Sequence, residues 1–263
     1  MSSAGWNVPR LVRRRDLNLP ETALTFLKSI SNSPRDLLSK FPSSTSLTVK
    51  KAQHRFFMYE EHAPVKLQDD LGATETIQTS PKDFATLLES TDDDHHYYWT
   101  APMASVAPEV LRLGFDWYEQ LHNQQDFRYL DPRGPSLWMG TSGSGTQCHY
   151  DVANNILLQL HGTKRVRIFS PMMGISHLHV FPDAHPRARK SQVNFDLLDN
   201  DNTDERFPHF RSLPSPTLDV VLQPGDALSI PAFWFHHVEN GRIPDCNNDD
   251  DSIRIMHGPS VSL

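Results

Sequence analysis

The sequence has 263 residues, 38% of them hydrophobic and 10% aromatic, which is enough to bury a sizeable core as one large domain. A formal net charge of −7 argues against a broad nucleic-acid-binding surface, and no run of about 18 apolar residues offers a membrane span. The cysteines, Cys148 and Cys246, supply neither a disulfide framework nor a four-cysteine zinc site, and so point to an intracellular setting, cytoplasm or nucleus.

Arg10, Arg13, Arg14 and Arg15 have no apolar stretch behind them, so no secretory signal is read there. From Pro20 to Phe41 helix-like spacing (Leu24, Leu27, Ile30) alternates with serine and proline, predicting one or two short helices. Ser46–Lys50 and Gln53–Tyr59 read as strands. Ser80-Pro81-Lys82-Asp83 opens a helix with a serine cap, a proline in the first turn and an acid after it, and its apolar face is Phe84, Leu87 and Leu88. Asp92 to His96 reads as a polar turn. A further helix is expected between Ala107 and Leu121.

After about Pro135 short apolar runs follow one another between turn signals. They are Leu137–Met139, Cys148–Val152, Asn155–Leu160, Arg165–Phe169, Leu218–Leu222, Ala227–Ile230, Phe233–Val238 and Ser252–Met256. Strands at such spacing indicate a sandwich or barrel, and the jelly-roll version has eight. The stretch from Pro171 to Pro216 is long, polar and weakly patterned, as functional or disordered loops are. The expected organisation is a single domain over 1–263, mainly β, with 1–135 as a supporting region of helices and strands and 136–263 as a jelly-roll core.

His149-Tyr150-Asp151 carries the chemistry. Residues i and i+2 of a strand share a face, so an imidazole and a carboxylate converge there, and a distant histidine would complete the facial triad of non-haem iron oxygenases. Alone the triplet is a weak signal. Pro231-Ala232-Phe233-Trp234-Phe235-His236-His237 brings imidazoles back about 85 residues downstream. Alternation puts His236 and His237 on opposite faces, so one of them can be a ligand, and alternation does not say which.

Together with Lys164-Arg165, Phe169-Ser170-Pro171, Ser191-Gln192-Val193, Arg206-Phe207-Pro208 and Pro224-Gly225-Asp226, these motifs resemble the JmjC-type, cupin-like oxygenases dependent on Fe(II) and 2-oxoglutarate. The likeness is to the hydroxylases of the tRNA wybutosine pathway and of asparagine in hypoxia-inducible factor. It is dense over about Leu137–Glu239 and thinner from Tyr97. The resemblance implies a double-stranded β-helix core. It implies a metal triad of His149, Asp151 and His236, with His237 as a packing or hydrogen-bonding neighbour. It gives Lys164 the far carboxylate of 2-oxoglutarate, a charge-assisted bond worth roughly 1.5–3 kcal/mol. Thr146, Asn155 and Tyr98 match positions that hydrogen-bond the cosubstrate, Tyr97 standing beside the last. Fe(II), 2-oxoglutarate and O2 are the implied cofactors, with succinate and CO2 released.

Other features are read more plainly. His177-Leu178-His179 lacks a carboxylate and reads as solvated loop histidines, Cys148 as packing, and Trp138 and Trp234 as core aromatics. One departure is that Met256 or His257 stands where the family's last strand carries an asparagine. The expected substrate is macromolecular, a protein side chain or a tRNA nucleoside. The acidic balance favours protein, while Arg187, Arg189 and Lys190 form a local basic cluster. Alternatives are an N-methyl demethylase of the same family, or a catalytically silent binding module. No membrane partner is expected, and the oligomeric state is open between monomer and weak dimer.

Overall fold

A computed structural model describes residues 8–16, 21–30, 33–55, 74–90, 94–102, 136–185, 187–193, 195, 207–241 and 260–262. Among these, twelve strands form two antiparallel sheets. They are β1 (Arg10–Val12), β2 (Leu47–Ala52), β3 (Glu75–Thr79), β4 (His96–Pro102), β5 (Ser136–Gly140), β6 (Gly145–Tyr150), β7 (Asn155–His161), β8 (Lys164–Phe169), β9 (Leu218–Leu222), β10 (Ala227–Ile230), β11 (Phe235–Asn240) and β12 (Ser260–Ser262). The larger sheet runs β1-β10-β7-β12-β5-β4-β2-β3 and the smaller β6-β11-β8-β9. The chain therefore crosses between sheets at β5–β6, β6–β7, β7–β8, β9–β10, β10–β11 and β11–β12, as a jelly roll does.

Four α-helices are described: α1 (Glu21–Ile30), α2 (Pro34–Leu38), α3 (Pro81–Glu89) and α4 (Pro171–His177). Serine caps with proline behind them start α2, α3 and α4: Ser33, Ser80 and Ser170 each accept a main-chain N–H from the first turn. The buried face of α3 is Phe84, Ala85 and Leu88, with Leu87 only half-buried beside them. No helix among the described residues is long and apolar enough to cross a membrane.

Side-chain alternation builds the layers. On β4, Tyr97 and Trp99 face α1–α3, where Leu27, Ile30, Leu38, Phe84 and Leu88 pack on the large sheet; Tyr98 faces the other way, against Ala52 and Trp138. Between the sheets, Leu157, Leu228 and Ile230 of the large sheet meet Val166, Ile168, Leu222 and Val238 of the small one. The outer face of the small sheet is covered by the segment after β8, through Leu178, Val193, Phe195 and Phe210 against Cys148, Phe169 and Phe235.

Several expectations are corrected. The stretch from Asp92 to His96 is not wholly a turn, because His96 opens β4 and pairs with Ala52. The strand expected at Gln53–Tyr59 is not formed over 53–55, where the chain bends, and the remainder lies outside the described residues. Phe233 and Trp234 belong to a turn, and the strand begins at Phe235. The strand containing the triplet ends at Tyr150, so Asp151 lies just beyond it. The weakly patterned stretch after Pro171 contains α4 and two isolated bridges, His149↔Lys190 and Val180↔Ser191. The helix at 107–121 and the strand at 252–256 lie outside the described residues.

β1 and β3 carry no sequence pattern strong enough to read. What makes β1 a strand is remote: Asp226, 3% exposed, accepts Arg13 Nη1 at 2.7 Å and the Arg14 N–H at 2.9 Å. Gly225, at φ +94, is needed in this turn, because a Cβ there would meet the Arg14 side chain at 2.6 Å.

Candidate metal centre

The two halves of the candidate site meet because β6 and β11 are neighbours, with His149 paired to His236 across the ladder. Opposed residues share a face, so both imidazoles point between the sheets. His149 Nε2 lies 4.0 Å and His236 Nε2 3.8 Å from Oδ2 of Asp151, and the imidazole centroids are 4.2 Å apart. One donor atom from each of the three lies within 4.8 Å of the others. Ligand bonds of about 2.0–2.2 Å can span separations near 4 Å.

Both rings are oriented by the chain itself. His149 Nδ1 is 2.8 Å from the carbonyl of Gln147, and His236 Nδ1 is 3.1 Å from that of Trp234. A ring nitrogen at that distance from a carbonyl oxygen carries the proton, so Nδ1–H donates and Nε2 keeps its lone pair toward Asp151. Burial holds both imidazoles below their ordinary pKa, and for His149 the neighbouring His236 ring adds to it. Neutral rings with Nε2 free are what a divalent ion needs.

Asp151 is the more open member, its side chain 35% exposed against 7% for His236. Its carboxylate accepts from Asn155 Nδ2 at 2.6 Å and lies 3.7 Å from Arg189 Nη1. Its carbonyl accepts the Phe233 N–H at 2.7 Å, while the preceding Tyr150 N–H donates to the Arg189 carbonyl at 3.2 Å. Arg189 and Lys190, read in the sequence only as a basic cluster, thus lie along the free edge of β6. The adjacent Ser191-Gln192-Val193 motif was the available signal, but nothing in it says which strand it would border.

The other expected site residues fall as follows. Val238 pairs with Thr146, and the ladder shifts register between His236 and Val238. His236 and Val238 share a face, so this irregularity brings Thr146 and His149 to the same side although they are three residues apart. Lys164, 6% exposed, opens β8 opposite Asn240 and lies on the same face as Val166 and Ile168, four residues along the strand from Ile168, the partner of His236. Burial lowers its ammonium to about 7. Asn155 starts β7 with its amide on Asp151. Tyr98, not Tyr97, faces between the sheets.

His236 is the one of the two adjacent histidines that joins the cluster. His237 points to the outer face, stacked on Phe195 at 4.7 Å and 3.9 Å from Glu239. His177 and His179 are only partly solvated, where fully solvated loop residues were expected. Both are half-buried, and His179 packs against Phe207 at 5.0 Å and His209 at 6.0 Å. Cys148 is buried in the outer cluster, which pushes its thiol pKa up.

Residues 28–256 match the cupin-like domain family. The chain belongs to that family. Among curated proteins, this cupin-like chain is similar to tRNA wybutosine-synthesizing protein 5 of Danio rerio, 32% identical over 150 residues that cover 56% of the chain and 42% of that protein. It is also similar to JmjC domain-containing protein F of Dictyostelium discoideum, 30% identical over 115 residues covering 40% of the chain and 24% of that protein. The matched region thus spans well under half the length of either relative. Among solved structures, a ribosomal oxygenase of Escherichia coli in complex with cobalt and 2-oxoglutarate aligns with TM-score 0.46 and 14% identity, over 99% of this chain and 49% of that one.

Proposed function

We propose that this cupin-like chain, acting as one unit, is an Fe(II)- and 2-oxoglutarate-dependent oxygenase that hydroxylates a macromolecular substrate. The observation that carries this reading is the donor set: two neutral imidazoles with Nε2 free, and one carboxylate, within 4.8 Å. Two histidines and a carboxylate on one side of an ion are the chemistry of non-haem iron oxygenases. The names of the JmjC and wybutosine relatives support it.

When bound, Fe(II) with 2-oxoglutarate supplies activation of O2 and oxidation of a substrate C–H bond, with release of succinate and CO2. The chain's own residues do the rest. His149, Asp151 and His236 hold the ion, and the carbonyls of Gln147 and Trp234 keep the two rings in the ligating tautomer. Asn155 fixes the rotation of the Asp151 carboxylate. Lys164 offers a cation for the far carboxylate of 2-oxoglutarate, and Thr146 and Tyr98 line the interior on the way to it. Val166, Ile168, Leu228 and Ile230 keep water from that interior.

The test is spectroscopic. Under anaerobic conditions, Fe(II) plus 2-oxoglutarate should give the protein a weak visible metal-to-ligand charge-transfer band and raise its melting temperature. Asp151→Ala should abolish both while leaving the protein folded by circular dichroism. A wild type that shows neither band nor stabilisation would leave a binding module without this chemistry. For the class of substrate, a gain of one oxygen atom sought by mass spectrometry on peptides and on co-purified tRNA separates protein from nucleic acid.

A further inference from the structure

Three non-glycine residues among those described have positive φ: His179 (44°), Arg189 (73°) and Phe233 (66°). Two of them flank Asp151. Phe233 lies on the β11 side and donates its N–H to the Asp151 carbonyl. Arg189 lies on the free edge of β6, its carbonyl on the Tyr150 N–H and its guanidinium 3.7 Å from the Asp151 carboxylate. Strain of this kind gathers where function holds the backbone.

Phe233 is the stranger of the two. A bulky side chain is an outlier in the left-handed region, where asparagine or glycine fits with less strain. Core packing does not explain the choice, since Phe233 is 53% exposed, with the Tyr150 ring 5.9 Å away and Val152 itself 63% exposed. A large apolar side chain is therefore kept in solvent, on a strained backbone whose N–H is bonded to the carbonyl of a proposed metal ligand.

We infer that Phe233, with Tyr150 and Val152, is a specificity-determining shelf at the lip of the metal centre, and that it receives a large apolar side chain of an extended polypeptide whose acidic neighbour pairs with Arg189. This rests on the oxygenase reading and adds to it the class of substrate. The charge around the metal centre favours polypeptide. A single-stranded nucleic acid needs a track of cations for successive phosphates. Among the described residues, the large exposed apolar side chains beside Asp151 are Val152 and Phe233. The cations there are a half-exposed Arg189 with a half-buried Lys190 next to it, a single anion contact and not a track, on a chain of net charge −7.

The experiment uses the full chain loaded with Mn(II) and N-oxalylglycine, an unreactive analogue of 2-oxoglutarate. The probes are an array of fluorescent peptides varied at one apolar and one acidic position, and a single-stranded oligoribonucleotide as competitor. Peptides placing leucine or phenylalanine beside glutamate should bind at least about tenfold more tightly than those with serine or lysine there, the scale of one aromatic anchor. Phe233→Asn, which suits the left-handed backbone, should erase that preference while its melting temperature stays level or rises. A variant that keeps the preference overturns the inference. So does a fall in melting temperature of more than about 4 °C, which would mark Phe233 as structural. Failure of every peptide to bind, or displacement of all of them by the oligoribonucleotide, overturns it as well. Failure of Mn(II) and N-oxalylglycine to stabilise the wild type would sink the oxygenase reading itself, and is scored separately.

Discussion

The side-chain amide of Asn155 donates to Oδ2 of Asp151 at 2.6 Å, joining the first residue of β7 to the end of β6 across the corner between the two sheets. An orienting partner of this kind typically sets ligand affinity by about 10–100-fold. Asn155→Ala should therefore weaken Mn(II) binding by about that factor. Isothermal titration checks it, and an unchanged affinity would return Asn155 to a cosubstrate role alone.

Lys164 gives the site a pH dependence. In the unfolded chain its ammonium titrates near 10.4. Burial lowers it to about 7 in the folded protein without cosubstrate. Below that value the buried charge opposes folding in full, and between the two values the folded state has shed a proton that the unfolded state keeps. Stability of the ligand-free protein therefore gains from this residue as pH rises through that window. Binding runs the other way, because a dicarboxylate requires the ammonium. The affinity of the Mn(II)-loaded protein for N-oxalylglycine should fall by up to about tenfold per pH unit above about 7. Lys164→Met should bind weakly and without that slope, as fluorescence titration at stepped pH would record.

Glu239 tests the outer face of the small sheet. It is fully buried, with Arg55 Nη2 at 2.7 Å, Arg167 Nη2 at 3.4 Å and His237 Nε2 at 3.9 Å. Burial alone would raise its carboxyl pKa, but His237 and the arginines hold it well below the usual range. Removing one partner of such a buried cluster costs about 3–5 kcal/mol. Glu239→Gln should lose that much in urea unfolding at neutral pH. Because the folded pKa is depressed, the wild-type advantage is complete above about 4.3 and shrinks as pH falls below it.

Gly174 tests how α4 seats the distal histidine. A Cβ there would lie 1.8 Å from the ring of Phe235, the neighbour of His236 in β11. That ring is 3% exposed and packed edge-on to Tyr150 at 5.0 Å, so it has little room to yield. Gly174→Ala should destabilise the protein by about 1–3 kcal/mol, more if the strand shifts. Loss of Mn(II) affinity alongside would show the shift reaching His236, and a stability equal to wild type would refute the close contact.

Local chemistry made much of this readable. Serine and proline mark the starts of α2 and α3 because capping needs only neighbours in the chain. β9 and β10 fall where their apolar runs do, since alternation and turn residues are local too. His149 and Asp151 were visible as a pair on the same grounds. Elements with weak patterns were not readable: β1 forms because Asp226, more than 200 residues away, bonds Arg13 and Arg14. α4 was hidden in a stretch whose apolar residues serve the outer face of the small sheet and leave Met172 and Ile175 exposed.

By itself the sequence determined a β-rich core and a short set of side chains able to hold a metal and a dicarboxylate. Only the tertiary structure decided which of His236 and His237 faces the interior, which of Tyr97 and Tyr98 does, and that Thr146 joins the same face as His149. Each of those choices depends on strand register and on one irregularity in a ladder. Register is set by pairing between segments some ninety residues apart, and a shift of one residue reverses every side chain, so no local pattern can specify it.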